Sequence, residues 1–279
     1  MKNLIHYITI LRPLNFFITF LSIHLSVIIA NKSSAFSVKA FLGALAGSLI
    51  GGAGMVINDY FDVEIDKVNR PERPIPSGKI SLKSALVYYF VLNFIALVLV
   101  SQTNIYAFVI ALISVFLIFF YSYKLKSKGL IGNFVVGFMT GIAFIFGGAI
   151  GENVVPLLFP FIFGLLINFA REILKDVEDI EGDRIKKLQT FPIVYGEEKS
   201  LKIFTFLIVL TIISTLLPYF LGIYNVFYLL IILFIVDLPL VYAIRVILDK
   251  PEKDQLRKIS NLIKYEMIAG LIAIFIGVN

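Results

Sequence analysis

The chain has 279 residues, of which 59% are hydrophobic and 16% charged, with a formal charge of +6 and a mean hydropathy of +0.92. That is too apolar for an ordinary soluble domain, and the basic balance suits anionic lipid headgroups or phosphorylated substrates rather than nucleic acid. With no cysteine and only His6 and His24 as histidines, the chain has no means for disulfides or thiolate metal sites and little for zinc or copper.

In chain order, apolar runs long enough to cross about 30 Å of hydrocarbon fall at 10–30, 38–60, 84–101, 104–123, 130–150, 154–174, 201–220, 222–247 and 261–278. They predict an all-α integral membrane protein with about nine transmembrane helices. No linker or composition shift divides the chain, so residues 1–279 read as a single domain. Arg12 and Pro13 interrupt the start of the first run, which argues against a cleaved signal peptide. If the nine runs alternate in direction, 23 of the 25 Lys and Arg fall on one side and only Lys32 and Lys39 on the other. The positive-inside rule then predicts a multi-pass protein of the cell membrane with a cytoplasmic N-terminus and an external C-terminus.

Glycines 43, 47, 51, 52 and 54, and again 137, 141, 147, 148 and 151, either bring helices close together or widen a cavity. Asp237 and Pro239 sit in the middle of the eighth run, where a buried carboxylate needs a partner, and a structural hydrogen bond beside a proline kink is expected. His24 is expected to be a packed, hydrogen-bonded histidine.

The feature with chemical content is an acidic heptad that occurs twice. Asp59, Asp62 and Asp66 recur with the same spacing as Asp176, Asp179 and Asp183, each set joining an apolar run to a basic loop. On a continuous helix the three fall at about 0°, 300° and 340°, on one narrow face, while Glu64, Glu178 and Glu181 point elsewhere. Two carboxylates about 5 Å apart at an effective dielectric near 20 repel by roughly 3 kcal/mol, so something cationic must offset them. Hard oxygen ligands suit magnesium. Both motifs lie at the predicted cytoplasmic ends of their helices, which makes one shared site geometrically admissible, and their repetition suggests an internal duplication.

The first motif reads Asn58-Asp59-Tyr60-Phe61-Asp62-Val63-Glu64-Ile65-Asp66, followed by Asn69-Arg70-Pro71-Glu72-Arg73-Pro74. The second reads Lys175-Asp176-Val177-Glu178-Asp179-Ile180-Glu181-Gly182-Asp183-Arg184, followed by Thr190-Phe191-Pro192. The pair resembles the two aspartate motifs of the UbiA-type intramembrane prenyltransferases, and with the helix count the resemblance covers most of the chain. It implies helices around a central cavity. Arg171-Glu172 and the Glu178-to-Asp183 run are most similar to the archaeal ether-lipid branch of that superfamily. This resemblance implies transfer of a geranylgeranyl group from geranylgeranyl diphosphate to geranylgeranylglyceryl phosphate, with membrane lipids as surroundings. A relative with an aromatic acceptor is the nearest alternative. A cation transporter is a remote one, since transporter sites lie near the midplane rather than beside basic loops.

Such a reaction requires charge to be neutralised on the departing diphosphate, which a pair of magnesium ions can do. The expected ligands are Asn58, Asp59, Asp62, Asp66, Asp176, Asp179 and Asp183, with Asp62, Asp66, Asp179 and Asp183 central to catalysis. Lys175 stands where the first motif has Asn58, so it would touch phosphate instead, and Glu172 would serve as an extra ligand or proton acceptor. Arg70, Arg73 and Lys124, which follows Tyr121-Ser122-Tyr123, are expected to hold diphosphate oxygens, with Lys67 and Arg184 as further candidates and Tyr121 beside them. Arg171, with Lys175, would either hold the acceptor's phosphate or pair with a carboxylate or lipid. Arg12 and Asn15 would either reach substrate or anchor at the interface. Lys126, Lys128, Lys186 and Lys187 read as surface anchors. No nucleophilic side chain is required, and some of the 27 Phe and 13 Tyr would shield a carbocation from water.

Overall fold

The structure is a computed structural model that describes residues 2–185, 188–249 and 251–278, so Lys186, Lys187 and Lys250 lie outside the described residues. The chain is helical: α1 Lys2–Ile10, α2 Pro13–Ala30, α3 Val38–Phe61, α4 Val63–Asn69, α5 Leu82–Val100, α6 Ile105–Tyr123 and α7 Leu130–Ile150. There follow α8 Leu158–Glu178, α9 Ile180–Ile185, α10 Phe191–Tyr195, α11 Glu197–Phe220, α12 Val226–Ile231, α13 Leu238–Leu248 and α14 Lys253–Val278. Among the described residues, nine helical segments are long and apolar enough to cross a membrane, as the hydropathy pattern predicts. Several begin in polar sequence that an apolar-run reading leaves out. The last starts at Lys253 rather than 261 and the seventh at Glu197 rather than 201, because a helix continues through charged residues wherever its backbone bonds are met.

Helix starts are set by side chains. Ser37, Ser81, Asn104 and Asn225 each accept the backbone N–H three residues on, at 3.1, 3.1, 2.9 and 3.1 Å. Each thereby satisfies a donor that the first helical turn would otherwise leave bare.

The chain forms two compact units. One comprises residues 1–125 and 143–156, the other residues 126–142 and 157–279, and each carries one aspartate motif. In the first unit α3 is central. Its buried Ala40, Ala44, Ala46 and Ala53 let α2, α5 and α6 pack closely, with Ala85, Tyr89, Leu92 and Ala96 of α5 completing the core. In the second unit α8 packs on α11 and α14 through buried Ala170, Ile173 and Leu174, against Phe204 and Ile208.

Two expectations are corrected and one is met. The first apolar run is not one helix from residue 10: α1 ends at Ile10, and α2 begins at Pro13 after Arg12, whose backbone is left-handed at φ 53° and ψ 75°. Proline disfavours the α conformation in the residue before it, so the run breaks there. In the eighth run the expected structural hydrogen bond is present, Thr215 Oγ1 donating to Asp237 Oδ1 at 3.1 Å, and residues Ile232–Asp237 form a π-helical stretch just ahead of Pro239. His24 stacks on Phe20, but its Nδ1 is buried without a hydrogen-bond partner among the described residues.

The glycines act by close approach. A Cβ at Gly137 would fall 2.5 Å from the Leu165 carbonyl oxygen and 2.9 Å from Phe169 Cβ, so α7 lies directly against the backbone of α8. Gly270 has nothing within 4 Å of that position. Gly137→Val is therefore expected to cost at least about 1–3 kcal/mol, measured as a lowered unfolding midpoint in detergent, while Gly270→Val leaves the midpoint nearly unchanged.

Candidate active site

Both acidic motifs sit where a long helix gives way to a short one, and the junction residue is the middle aspartate. Asp62 separates α3 from α4 at φ −90°, ψ 4°, and Asp179 separates α8 from α9 at φ −97°, ψ 8°. Both lie in the sparsely occupied bridge region. The ladder continues through each break: Asp62 N–H donates to Asn58 O at 2.9 Å and Asp66 N–H to Asp62 O at 2.8 Å, while Asp179 N–H donates to Lys175 O at 2.9 Å and Asp183 N–H to Asp179 O at 3.0 Å. The expected uninterrupted helical stripe is thus corrected to two helical pieces that meet at a carboxylate.

In the first motif all three aspartates are buried, at 2%, 5% and 4% exposure for Asp59, Asp62 and Asp66, which makes an unpaired charge very costly. Arginines provide the offset. Asp59 Oδ1 accepts from Arg12 at 2.9 Å and from Arg73 at 3.0 Å, and Arg73 also donates to Asp66 Oδ2 at 2.6 Å. Arg12 further reaches the Met55 sulfur at 3.1 Å. Its left-handed backbone, a conformation that costs of order 1–3 kcal/mol outside glycine, is what turns this side chain onto α3. Burial pulls the Arg12 pKa below its ordinary value, and Asp59 opposes that shift. Asn58 donates through Nδ2 to Asp62 Oδ2 at 2.9 Å, so its amide oxygen remains as a neutral ligand atom.

Other predicted residues of this unit are placed less centrally. Asn15 is half-buried in the first turn of α2, where its carbonyl accepts the Thr19 hydroxyl. Arg70 is exposed just past α4, and Lys67 pairs with Glu64 at 2.6 Å, both exposed. Lys124 is exposed at the end of α6, with Tyr121 half-buried one turn earlier.

The second motif is supported differently. Asp176 Oδ2 accepts from Asn133 of α7 at 2.9 Å, Asp179 is half-buried and Asp183 is buried. Asn133 was missed by sequence reasoning. The available signal was a lone amide one turn inside an otherwise apolar span, and it is 5% exposed. Both oxygens of Glu172 accept from Lys175, at 2.7 and 3.0 Å, so these two residues form a clamp. Arg171 donates through Nε to the Ser260 carbonyl at 3.1 Å and lies 3.8 Å from Glu172. Arg184 is exposed, as is Lys128, while Lys126 is half-buried.

Among the described residues no three acidic or imidazole side chains converge closely enough to hold a metal ion by themselves. The donor set is oxygen-only, with three aspartates at each helix end that do not close around one point. That is how magnesium binds when substrate phosphates and water complete its shell, so these residues fit that ion and not a caged one.

The profile described as the UbiA prenyltransferase family matches residues 16–265. A curated relative from Methanosphaera stadtmanae, named digeranylgeranylglyceryl phosphate synthase, is 36% identical over 97% of this chain and 98% of its own. A solved structure titled for digeranylgeranylglyceryl phosphate synthase in membranes is 38% identical with a TM-score of 0.81, covering 100% of this chain and 99% of that one. A UbiA homolog from Archaeoglobus fulgidus, bound to GPP and Mg2+, shares the fold at a TM-score of 0.72 and 20% identity, over 96% of this chain and 99% of that one.

Arg73 is the only described cation bonded to both Asp59 and Asp66. Arg73→Ala should lower the detergent unfolding midpoint by the equivalent of about 3–5 kcal/mol, against little change for exposed Arg70→Ala. Equal losses in a thermal scan would show that the buried pairs are not what holds this end of α3.

Proposed function

This chain belongs to the UbiA prenyltransferase family, and from that premise we propose that it transfers a geranylgeranyl group from geranylgeranyl diphosphate to the free hydroxyl of geranylgeranylglyceryl phosphate. The observation that carries this choice of substrates is the full-length likeness to relatives named for that product, at 36–38% identity. The oxygen-only helix ends beside basic residues support the diphosphate chemistry.

In this reading Asn58, Asp62 and Asp66 in one unit and Asp176, Asp179 and Asp183 in the other would hold magnesium together with substrate phosphate and water. Bound there, magnesium offsets the negative charge that collects on the departing diphosphate. Asp59 serves chiefly as the anchor of Arg12 and Arg73, holding two guanidinium groups ready for phosphate oxygens; Arg70 and Lys124 reach the same group from exposed positions. The allylic C–O bond breaks with its electron pair passing to the diphosphate. The acceptor oxygen bonds to the allylic carbon, and the hydroxyl proton passes to a diphosphate oxygen. Glu172 orients Lys175, and Asn133 fixes the carboxylate of Asp176. Lys175 and Arg171 face the acceptor's own phosphate. The basic loops support a cytoplasmic side for this chemistry, with the N-terminus cytoplasmic and the C-terminus external.

The deciding experiment incubates the purified protein with labelled geranylgeranyl diphosphate and either geranylgeranylglyceryl phosphate or hydroxybenzoate, with magnesium or with chelator. The lipid phosphate alone should be alkylated, and only with metal. Alkylation of the aromatic acid instead would reject the assignment. Asp62→Ala and Asp179→Ala should each lower turnover by at least about a hundredfold. Asp59→Asn should act mainly on the Michaelis constant for the donor, leaving Mn2+ affinity, read by electron paramagnetic resonance, near that of the parent.

A further inference from the structure

Outside the residues of both motifs, the first unit carries a groove of about 350 Å3 between α1 and α5, lined by Tyr7, Lys83, Ser84, Val87, Tyr88 and Val91. Five of these six belong to one helix and fall on a single stripe of it, at spacings of three and four residues. The stripe changes character along its length. Lys83 and Ser84 lie in the first turn, and Val87 and Val91, exposed by 55% and 45%, follow over about 12 Å toward the middle of the span.

The opposite wall is α1. Tyr7 and Tyr88 meet edge to face at 5.0 Å, and the Tyr88 hydroxyl donates to the Tyr7 carbonyl at 3.4 Å. Leu4, Ile5 and Ile8 of α1 are exposed at 65%, 60% and 50%, as expected for a helix lying in the membrane interface. The groove is therefore cationic at its interfacial mouth, apolar toward the hydrocarbon and open to it along the valines. The start of α5 adds the positive end of a 19-residue helix to the Lys83 ammonium.

We propose that this groove is a binding site for an anionic glycerophospholipid of the surrounding membrane. Its phosphate sits on Lys83 and the Ser84 hydroxyl, and its first chain carbons run over Val87 and Val91 beside the paired tyrosines. The occupant comes from the bilayer because the apolar half of the groove faces the bilayer, and it is anionic because the polar half offers a cation and no carboxylate. A lipid held there fills the gap between α1 and α5. It would steady α1, whose next residues lead to the Arg12 turn. The groove uses none of the residues assigned to the chemistry and does not rest on it.

The test uses the full chain, purified in detergent and delipidated, titrated with dioleoyl phosphatidylglycerol or dioleoyl phosphatidylcholine and followed by native mass spectrometry. One phosphatidylglycerol should be retained with a preference of about fivefold over phosphatidylcholine, the size of one lysine–phosphate attraction at a membrane surface. Lys83→Gln should abolish that preference and Lys83→Arg restore it, while Lys79→Gln, an exposed basic residue outside the groove, leaves it intact. An unchanged unfolding midpoint without lipid confirms that each variant folds. Equal retention of the two lipids, or equal effects of Lys79→Gln and Lys83→Gln, would overturn the proposal, the second by showing diffuse surface attraction in place of a site.

Discussion

The end of α3 depends on one arrangement, in which two guanidinium groups are bonded to buried carboxylates. Asp59, Asp62 and Asp66 are within 5% of complete burial, and charges placed so deep persist only with close partners of opposite sign. Arg12 and Arg73 supply that charge from outside the helix, one from a strained turn before α2 and the other from the loop after α4. Part of the cationic offset that mutual repulsion of the aspartates demands is thus built into the protein. The two arginines are thereby held at fixed positions beside the end of α3.

The two motifs share their spacing and their break but not their support. At Asp176 the close partner is a neutral amide, Asn133, and the nearby cation Lys175 is engaged with Glu172. Arg171 spends its Nε–H on a backbone carbonyl of α14. One acidic helix end is bridged by arginine and the other is propped by an amide, so the repeated spacing carries two different local supports.

The spans were legible because hydropathy and length determine what can cross a membrane, and the loop charges marked their ends. The acidic residues were legible because seven-residue spacing on an apolar background is rare. What the sequence hid was local and geometric. Residues 59, 62 and 66 read as a smooth stripe only if every residue turns by the same angle, and the rotation at Asp62, where ψ is 4°, breaks that assumption. Arg12 read equally well as an anchor, since its bond to Asp59 depends on a left-handed backbone that only the combination with Pro13 hints at. Asn133 carried no motif at all. Its meaning is a distance to another helix, which no spacing encodes.

The same reasoning bears on why the break and the strained turn persist. An unbroken helix through Asp62 would keep the regular backbone but would carry the last aspartate and the following loop, with Arg73, to different positions around the axis. A relaxed Arg12 would withdraw its guanidinium from Asp59. Each departure from ideal backbone costs of order 1–3 kcal/mol, and each is coupled to an ion pair whose loss would strand a buried charge at a greater cost. The distortions and the salt bridges therefore maintain one another.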